Sequence, residues 1–372
     1  MRMAEGDNDE TVRWHTLGIP EHPSPEERTF VEWIEEGHRG EEQQAWCRQW
    51  HLEREVAEGE ASAVVMRKAA ERLFSAWVKR GHKHRKTEMP PKALVQSMVG
   101  RRLLPTLTAQ AADRYYLPGL RRYMSAEEIC AAFGVGGALK MALLVEEERL
   151  TGSAARMLGA AIDIDVMEVV LRAALSKAGV LERAAEDGLT MGDVCSGIGT
   201  MAAAASRVTG GKLRYVFAVE KEAGKRRVLK AAWGAQGLQE EGAVKKEALD
   251  EGAMTAIQES VDVYGMTPDC GRWSRLTRDG GGEQPGRSMA AVREMERMLA
   301  YAIARQPAIV IMESVDNLQQ PGKEREYGEA IEETLVRSLP AYRWYKQVVG
   351  AHQHLGKPMR RERAFWVGTR GK

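Results

Sequence analysis

The feature that most constrains this chain is a change of rhythm at Leu189. From there on, short apolar runs alternate with glycine turns and helical stretches. The first unit is LTMGDVCSGIGTMAAAASRVTG, and LRYVFAVEKE reads as the second strand. A buried run at Val261–Gly265 ends in TPDCGRWS, and a helix is predicted over roughly 287–305. PAIVIMESVDNL, YRWYKQVV and RAFWVGTR supply further strands. Strands alternating with crossover helices predict an α/β fold with a mostly parallel sheet and helices on both faces. In such a sheet the functional residues collect at the carboxyl ends of the strands.

The chain before Leu189 reads differently. Residues 1–28 look irregular, with Pro20, Pro23 and Pro25 close together. Ser24-Pro25-Glu26-Glu27 then reads as a helix start, with a cap, a proline in the first position and acids in the first turn. Two or three helices are predicted through residue 80, packed together by Trp33, Trp46, Trp50 and Trp77, with Trp14 just before them. GHKHRKTEMPPK at 81–92 is the best linker. Helical sequence resumes after Pro118-Gly119, to about 147 and again from 154 to 178, and Asp187-Gly188 marks a boundary. This predicts a helical N-terminal module at 1–90, a second segment at 91–185 and the α/β domain at 186–372.

A net charge of +1 conceals an asymmetry. Residues 1–60 carry sixteen Asp/Glu against six Arg, whereas residues 79–122 carry eleven Lys/Arg against two acids. The basic stretch, with Tyr115 and Tyr116 beside it, reads as a salt-sensitive polyanion surface or as a solvated helix face. No run of about 18 apolar residues argues for a membrane span, and MRMAEGDNDETVRWH lacks the apolar core of a secretory leader. The four cysteines form no CxxC pair, so neither a metal site nor a disulfide framework is predicted. Free thiols fit an intracellular, reducing compartment: nuclear in a eukaryote, otherwise cytoplasmic.

Four constellations carry chemistry. Asp193-Val194-Cys195-Ser196-Gly197-Ile198-Gly199-Thr200 follows a strand and opens an Ala-rich helix, so a cofactor can approach the backbone closely. Ala202 stands where a dinucleotide fingerprint has its third glycine, which points toward another adenosine cofactor. Glu220, at the end of the second strand, is placed to accept hydrogen bonds from ribose hydroxyls. Cys270 follows the Val261–Gly265 strand, with Arg272 and Arg275 nearby to favour its thiolate, so it reads as a nucleophile or as a buried structural thiol. Glu313 ends an apolar strand, where burial raises a carboxyl pKa and suits it to donate a proton; the bland reading is a helix cap. Arg361 and Arg363 alternate on an extended segment and project to one face, toward Glu313, a phosphate or only solvent.

Taken in order, these motifs resemble the cytosine carbon-5 DNA methyltransferase family. GDVCSGIGT is similar to its DxFSGxGG cofactor turn and Glu220 to its second-strand acid. TPDCGRWS resembles PPCQxFS with Cys270 at the nucleophile, QPAIVIMESV resembles kPxxxxxENV with Glu313 at the acid, and HLGKPMRRERAFWVG resembles GxPQxRxRxxxVG with Arg361 and Arg363 at the arginines. The family's last two motifs have counterparts upstream. RRYMSAEEICAAFGV resembles RxLTxxExxRLQGF, and ERLTGSAARMLGAAI resembles QxGNAVP with Gly152 and Ser153 at Gly-Asn. The resemblance thus covers about 105–162 and 189–370 in circularly permuted order, with residues before 100 in place of the target-recognition region.

The resemblance implies a Rossmann-like methyltransferase sheet and S-adenosylmethionine as cofactor, held by Asp193, Cys195, Ser196, Gly197, Gly199, Glu220 and Ser153. It implies duplex DNA as partner, a flipped cytosine as substrate, and catalysis by Cys270, Glu313, Arg361 and Arg363. Departures stand beside it: Pro-Asp-Cys-Gly for Pro-Pro-Cys-Gln, Glu-Ser-Val for Glu-Asn-Val, Met359 for Gln, Gly-Ser for Gly-Asn, and Thr200 for the last glycine of the turn. Two alternatives stay open: a degenerate member that binds DNA or a partner without catalysis, and a methyltransferase acting on cytosine in tRNA.

Overall fold

The computed structural model describes residues 14–21, 116–117, 122–123, 125–150, 153–236, 238, 244–245, 254–268, 289–315, 325–357, 359 and 361–370. Seven strands form the central sheet: β1 (Leu189–Val194), β2 (Leu213–Val219), β3 (Val244–Lys245), β4 (Val263–Met266), β5 (Ile309–Val315), β6 (Tyr342–Gly350) and β7 (Glu362–Arg370). Their spatial order is β3-β2-β1-β4-β5-β7-β6. The five strands β3, β2, β1, β4 and β5 pair in parallel, and β7 enters antiparallel between β5 and β6. The chain order reverses at β1, and a ligand crevice opens where the order of a parallel sheet reverses.

Alternation along each strand feeds two cores, one on each face. Met191, Tyr215, Val263, Ile311 and Phe365 face the first, and Val194, Phe217, Tyr264, Met312 and Trp366 face the second. On the first face lie α1 (Ala126–Ala132), α2 (Gly137–Arg149), α3 (Ser153–Gly159), α4 (Ile164–Lys177), α5 (Leu181–Asp187), α6 (Thr200–Val208) and α7 (Ala223–Trp233). On the second lie α8 (Met289–Arg305) and α9 (Arg325–Ser338), with Met298, Tyr301 and Leu335 buried. The short α10 (Ala351–Leu355) joins β6 to β7. The sheet and its two helical layers match the sequence pattern.

The helices ahead of β1 begin where local chemistry tells them to. Ser125 caps α1 in a capping box: its hydroxyl accepts from Glu128 N–H at 3.3 Å, and the Glu128 carboxylate accepts from Ser125 N–H at 2.7 Å. The helix expected over 154–178 is two helices, because Asp163 caps a new start, accepting from Asp165 N–H and Val166 N–H. Buried side chains of α1 to α4 and those of β1, β2, β5 and β7 belong to one continuous core.

Two expectations change. Residues 14–21 are not irregular throughout. His15 bridges Tyr345 in parallel fashion, and Leu17 and Ile19 are buried, so this segment lies along the outer edge of β6. Trp14 packs against Trp344 of β6, at 6.1 Å between ring centroids, a partner the sequence reading did not name. The remainder of the 1–90 module, Trp33, Trp46, Trp50 and Trp77 included, lies outside the described residues, as does most of the basic stretch.

Candidate active site

The cofactor turn is built around buried polar groups at the carboxyl ends of β1 and β2. Ser196 N–H donates to the Val219 carbonyl at 3.0 Å, and Val219 N–H donates back to the Ser196 hydroxyl at 2.8 Å. That hydroxyl also lies 3.1 Å from the Asp193 carbonyl oxygen. Gly197 N–H donates to Glu220 Oε2 and Glu222 N–H to Glu220 Oε1, each at 2.9 Å. Asp193, Cys195, Ser196, Gly197, Gly199 and Glu220 are therefore one cluster, although 27 positions separate the first and last.

Backbone conformation explains the residue types. Gly197 and Gly199 have φ of +60° and +81°, a region costly for other residues. Behind Gly199, a Cβ would fall 2.5 Å from Trp233 Nε1, whose N–H reaches the Ile198 carbonyl at 3.4 Å. Among the described residues nothing stands within 4 Å of the Cβ position of Gly197, so they leave that side of the turn open. Cys195 also takes a left-handed φ, of 56°. Its carbonyl accepts from the Thr267 hydroxyl at 2.8 Å, which ties the turn to the end of β4, three residues before Cys270. Cys270 itself lies outside the described residues.

Asp193 sits beneath the turn. Tyr215 donates its hydroxyl to Asp193 Oδ1 at 2.5 Å. Burial pushes the Asp193 carboxyl up to about 6, against the pull of the Ser196 and Tyr215 hydrogen bonds. Ser153 is buried at the start of α3, and its hydroxyl lies 3.4 Å from Glu147 Oε2, which also accepts from Ala154 N–H. The described hydrogen bonds of Ser153 thus run to Glu147 and to the Leu150 carbonyl, and not to the turn.

The residues present fit an adenosyl cofactor. An open-sided glycine turn precedes a helix, and a buried carboxylate fixed by two N–H groups keeps acceptor capacity for hydroxyls.

The second cluster lies at the carboxyl end of β5. Glu313 is buried in the strand, so it is no helix cap. Arg363 Nε stands 2.9 Å from Glu313 Oε1, a close ion contact without the alignment of a hydrogen bond. Burial raises the Glu313 carboxyl above its usual range, and Arg363 and Arg361 only partly counter it. Arg361 is buried as well: its guanidinium donates to the Ala161 carbonyl and lies 5.1 Å over the Phe133 ring. These arginines are not a solvated edge. The sequence reading missed Phe133, Asp163 and Lys357, the buried supports of this cluster. Asp163 falls inside the single helix expected over 154–178 and gives no signal there.

Residues 189–372, from the first strand of the sheet onward, match the model of the C-5 cytosine-specific DNA methylase family. The chain thus carries a domain of this methyltransferase family at residues 189–372. No curated protein matches in sequence. Among solved structures, a DNA modification methyltransferase encoded within an E. coli prophage is similar at 17% identity and a TM-score of 0.34, over 49% of this chain and 47% of that one. Spodoptera frugiperda DNMT2 is similar at 16% identity and a TM-score of 0.36, over 49% of this chain and 50% of the other. A type I restriction-modification methyltransferase subunit from Streptococcus thermophilus has 11% identity and a TM-score of 0.36, over 92% of this chain and 83% of that one. The chain spans about half the length of the first two. Among the described residues no helix is long and apolar enough to cross a membrane, and no three His, Cys, Asp or Glu stand together to hold a metal ion.

Proposed function

We propose that this chain transfers a methyl group from S-adenosylmethionine to carbon 5 of a cytosine flipped out of duplex DNA. The observation that carries the reading is the buried Glu313–Arg363 pair at the carboxyl end of a central strand, within a domain of the C-5 cytosine methylase family. A buried carboxyl whose pKa is raised holds its proton more tightly than an exposed one and can deliver it to a ring nitrogen.

In this reading the Cys270 thiolate attacks carbon 6 of the ring while Glu313 protonates nitrogen 3. The electron pair gained by the ring makes carbon 5 nucleophilic, and S-adenosylmethionine supplies the methyl group. A base then removes the carbon 5 proton, the bond to Cys270 breaks as the ring double bond returns, and nitrogen 3 gives its proton back to Glu313. Arg363 and Arg361 hold the carboxyl and the base edge in register. Glu220 takes the ribose, and the open side of Gly197 takes the methionine portion. Asp193 and Ser196 shape that turn from beneath, Cys195 borders it, and Ser153 is assigned to the cofactor on the motif resemblance alone.

The permuted order is part of the proposal. Its support is that α1 and α3, which carry the counterparts of the family's last motifs, share one core with the methylase domain that follows them in sequence. Residues 91–185 then complete that domain, and residues 1–90 carry target recognition.

The test incubates the purified chain with tritiated S-adenosylmethionine and duplex DNA, single-stranded DNA or bulk tRNA, beside Cys270→Ala. Label on duplex DNA that needs Cys270 is expected. Full labelling by Cys270→Ala overturns the mechanism, label on tRNA alone moves the substrate to RNA, and bound cofactor without label identifies a non-catalytic member.

A further inference from the structure

The loop between α10 and β7 carries a buried lysine that the reaction above does not use. Lys357 and Asp163 are both almost fully buried. Lys357 Nζ lies 2.9 and 2.8 Å from the two Asp163 oxygens and 2.5 Å from Asp165 Oδ2. Asp165 in turn meets Arg207 of α6 at 2.5 Å, and Arg207 also donates to the Gly134 carbonyl. Burial opposes ionisation of Asp165, but Lys357 and Arg207 outweigh it and hold the carboxyl below its usual range.

This network lies beside the catalytic arginines. Four residues after Lys357, Arg361 is held by the same stretch of chain that presents Asp163: its guanidinium donates to the Ala161 carbonyl. Phe133, whose ring lies under that guanidinium, accepts from Ile164 N–H at 3.1 Å. Two residues further on, Arg363 meets Glu313. Charges buried this deeply are costly and are kept only with close partners. Here the partners fix both ends of the stretch that enters β7.

We propose that Lys357 and Asp163 are positioning residues for the catalytic carboxyl: their buried pair clamps the 357–361 loop onto the α3–α4 junction, so that Arg361 and Arg363 stand where they act on Glu313. The inference rests on Glu313 being the proton donor of the proposed reaction. It gives the segment before the methylase domain a share in the chemistry.

The test reads the ionisation of Glu313 directly, without substrate, by carbon-13 NMR of the glutamate-labelled full chain. Glu313→Gln identifies the resonance. Among the described residues, Arg363 and Arg361 are the charged groups that bear on Glu313. Lys357→Met, or Asp163→Asn where the methionine variant does not fold, is expected to let the arginines withdraw. The Glu313 pKa then rises by about one unit, a tenfold change in ionisation. Asp163→Asn retains the cap on α4 while losing the charge. Lys346→Met, which breaks the contact with Glu332 elsewhere on β6, is the control and leaves the titration in place. A Glu313 pKa unchanged or lowered in Lys357→Met and Asp163→Asn, with only the melting temperature reduced, overturns the inference. Failure to methylate any nucleic acid would overturn the proposed reaction and leave this titration to answer for itself.

Discussion

Arg363 and Glu313 meet at 2.9 Å from neighbouring antiparallel strands, offset by two positions in the register that pairs Glu313 with Phe365. The pairing of β5 with β7 therefore sets the charge environment of the carboxyl. Burial favours its neutral form and the two arginines favour its ionised form. As a general acid Glu313 acts while protonated, so activity should fall as pH rises through its pKa. Arg363→Ala removes a cation, raises that pKa further and should move the alkaline limb of the kcat profile to higher pH. It should also lower kcat by about 10²-fold or more, the scale of a lost proton-transfer or charge contact. A profile displaced to lower pH would contradict this account.

Asp193 should make the fold respond to pH opposite to an ordinary paired carboxylate. Its folded pKa, about 6, lies above the usual Asp value. The folded state binds the proton more tightly, so this stabilising contribution is complete below about pH 4 and is lost as pH rises through 6. The span corresponds to about 3 kcal/mol. Asp193→Asn keeps an acceptor for Tyr215 and abolishes the titration. Its stability relative to the parent should therefore improve from pH 4 to pH 8 in urea unfolding, and a constant difference would refute the assignment.

Two glycines should prove irreplaceable for different reasons. At Gly192 a Cβ would fall 2.1 Å from the Phe217 ring, so Gly192→Ala forces apart β1 and β2 and should cost about 1–3 kcal/mol as overpacking. At Gly199 the left-handed φ and the Trp233 indole both oppose a side chain. Gly199→Ala should therefore weaken S-adenosylmethionine binding, measured by calorimetry, beyond its effect on melting.

The sequence carries these two clusters unequally. Asp193 through Glu220 can be read because strand, turn, helix and strand follow one another, and the side chains that matter are the ones the chemistry names. Glu313 and Arg363 can be read as candidates, since a charge beside an apolar run is conspicuous. Their partnership can be read only as one option beside a phosphate, because the choice depends on β7 inserting antiparallel between β5 and β6. The supports of Arg361 leave still less trace. One is a backbone carbonyl 200 residues away, which has no residue type to betray it, and Lys357 reads as a surface base until its partner at a separation of 194 is seen. The contact of Trp14 with Trp344 is not legible either, because two buried side chains in a segment of eight residues, Leu17 and Ile19, are too few to show a strand period.

That segment leads to the last prediction. Strand β6 borders the sheet, and an open edge invites pairing with another chain. Residues 14–21 cover it. His15 N–H donates to the Trp344 carbonyl at 3.2 Å, and Lys346 N–H donates to the His15 carbonyl at 2.8 Å. The Gln347 side chain accepts from Ile19 N–H at 3.1 Å and donates to the Ile19 carbonyl at 2.8 Å. The anchors are apolar, with Leu17 at 2% and Ile19 at 7% exposure. Leu17→Ala should cost roughly 2–5 kcal/mol of local stability. Leu17→Asp, which would bury an unpaired charge, should detach the segment altogether. The Lys346 amide then loses its acceptor and should exchange with deuterium far faster than in the parent, while the amides of β1 and β4 in the sheet centre keep their protection. The bared edge should also make the variant self-associate with rising concentration in sedimentation. Unchanged protection at Lys346 in Leu17→Asp would show that the edge is held by something other than this segment.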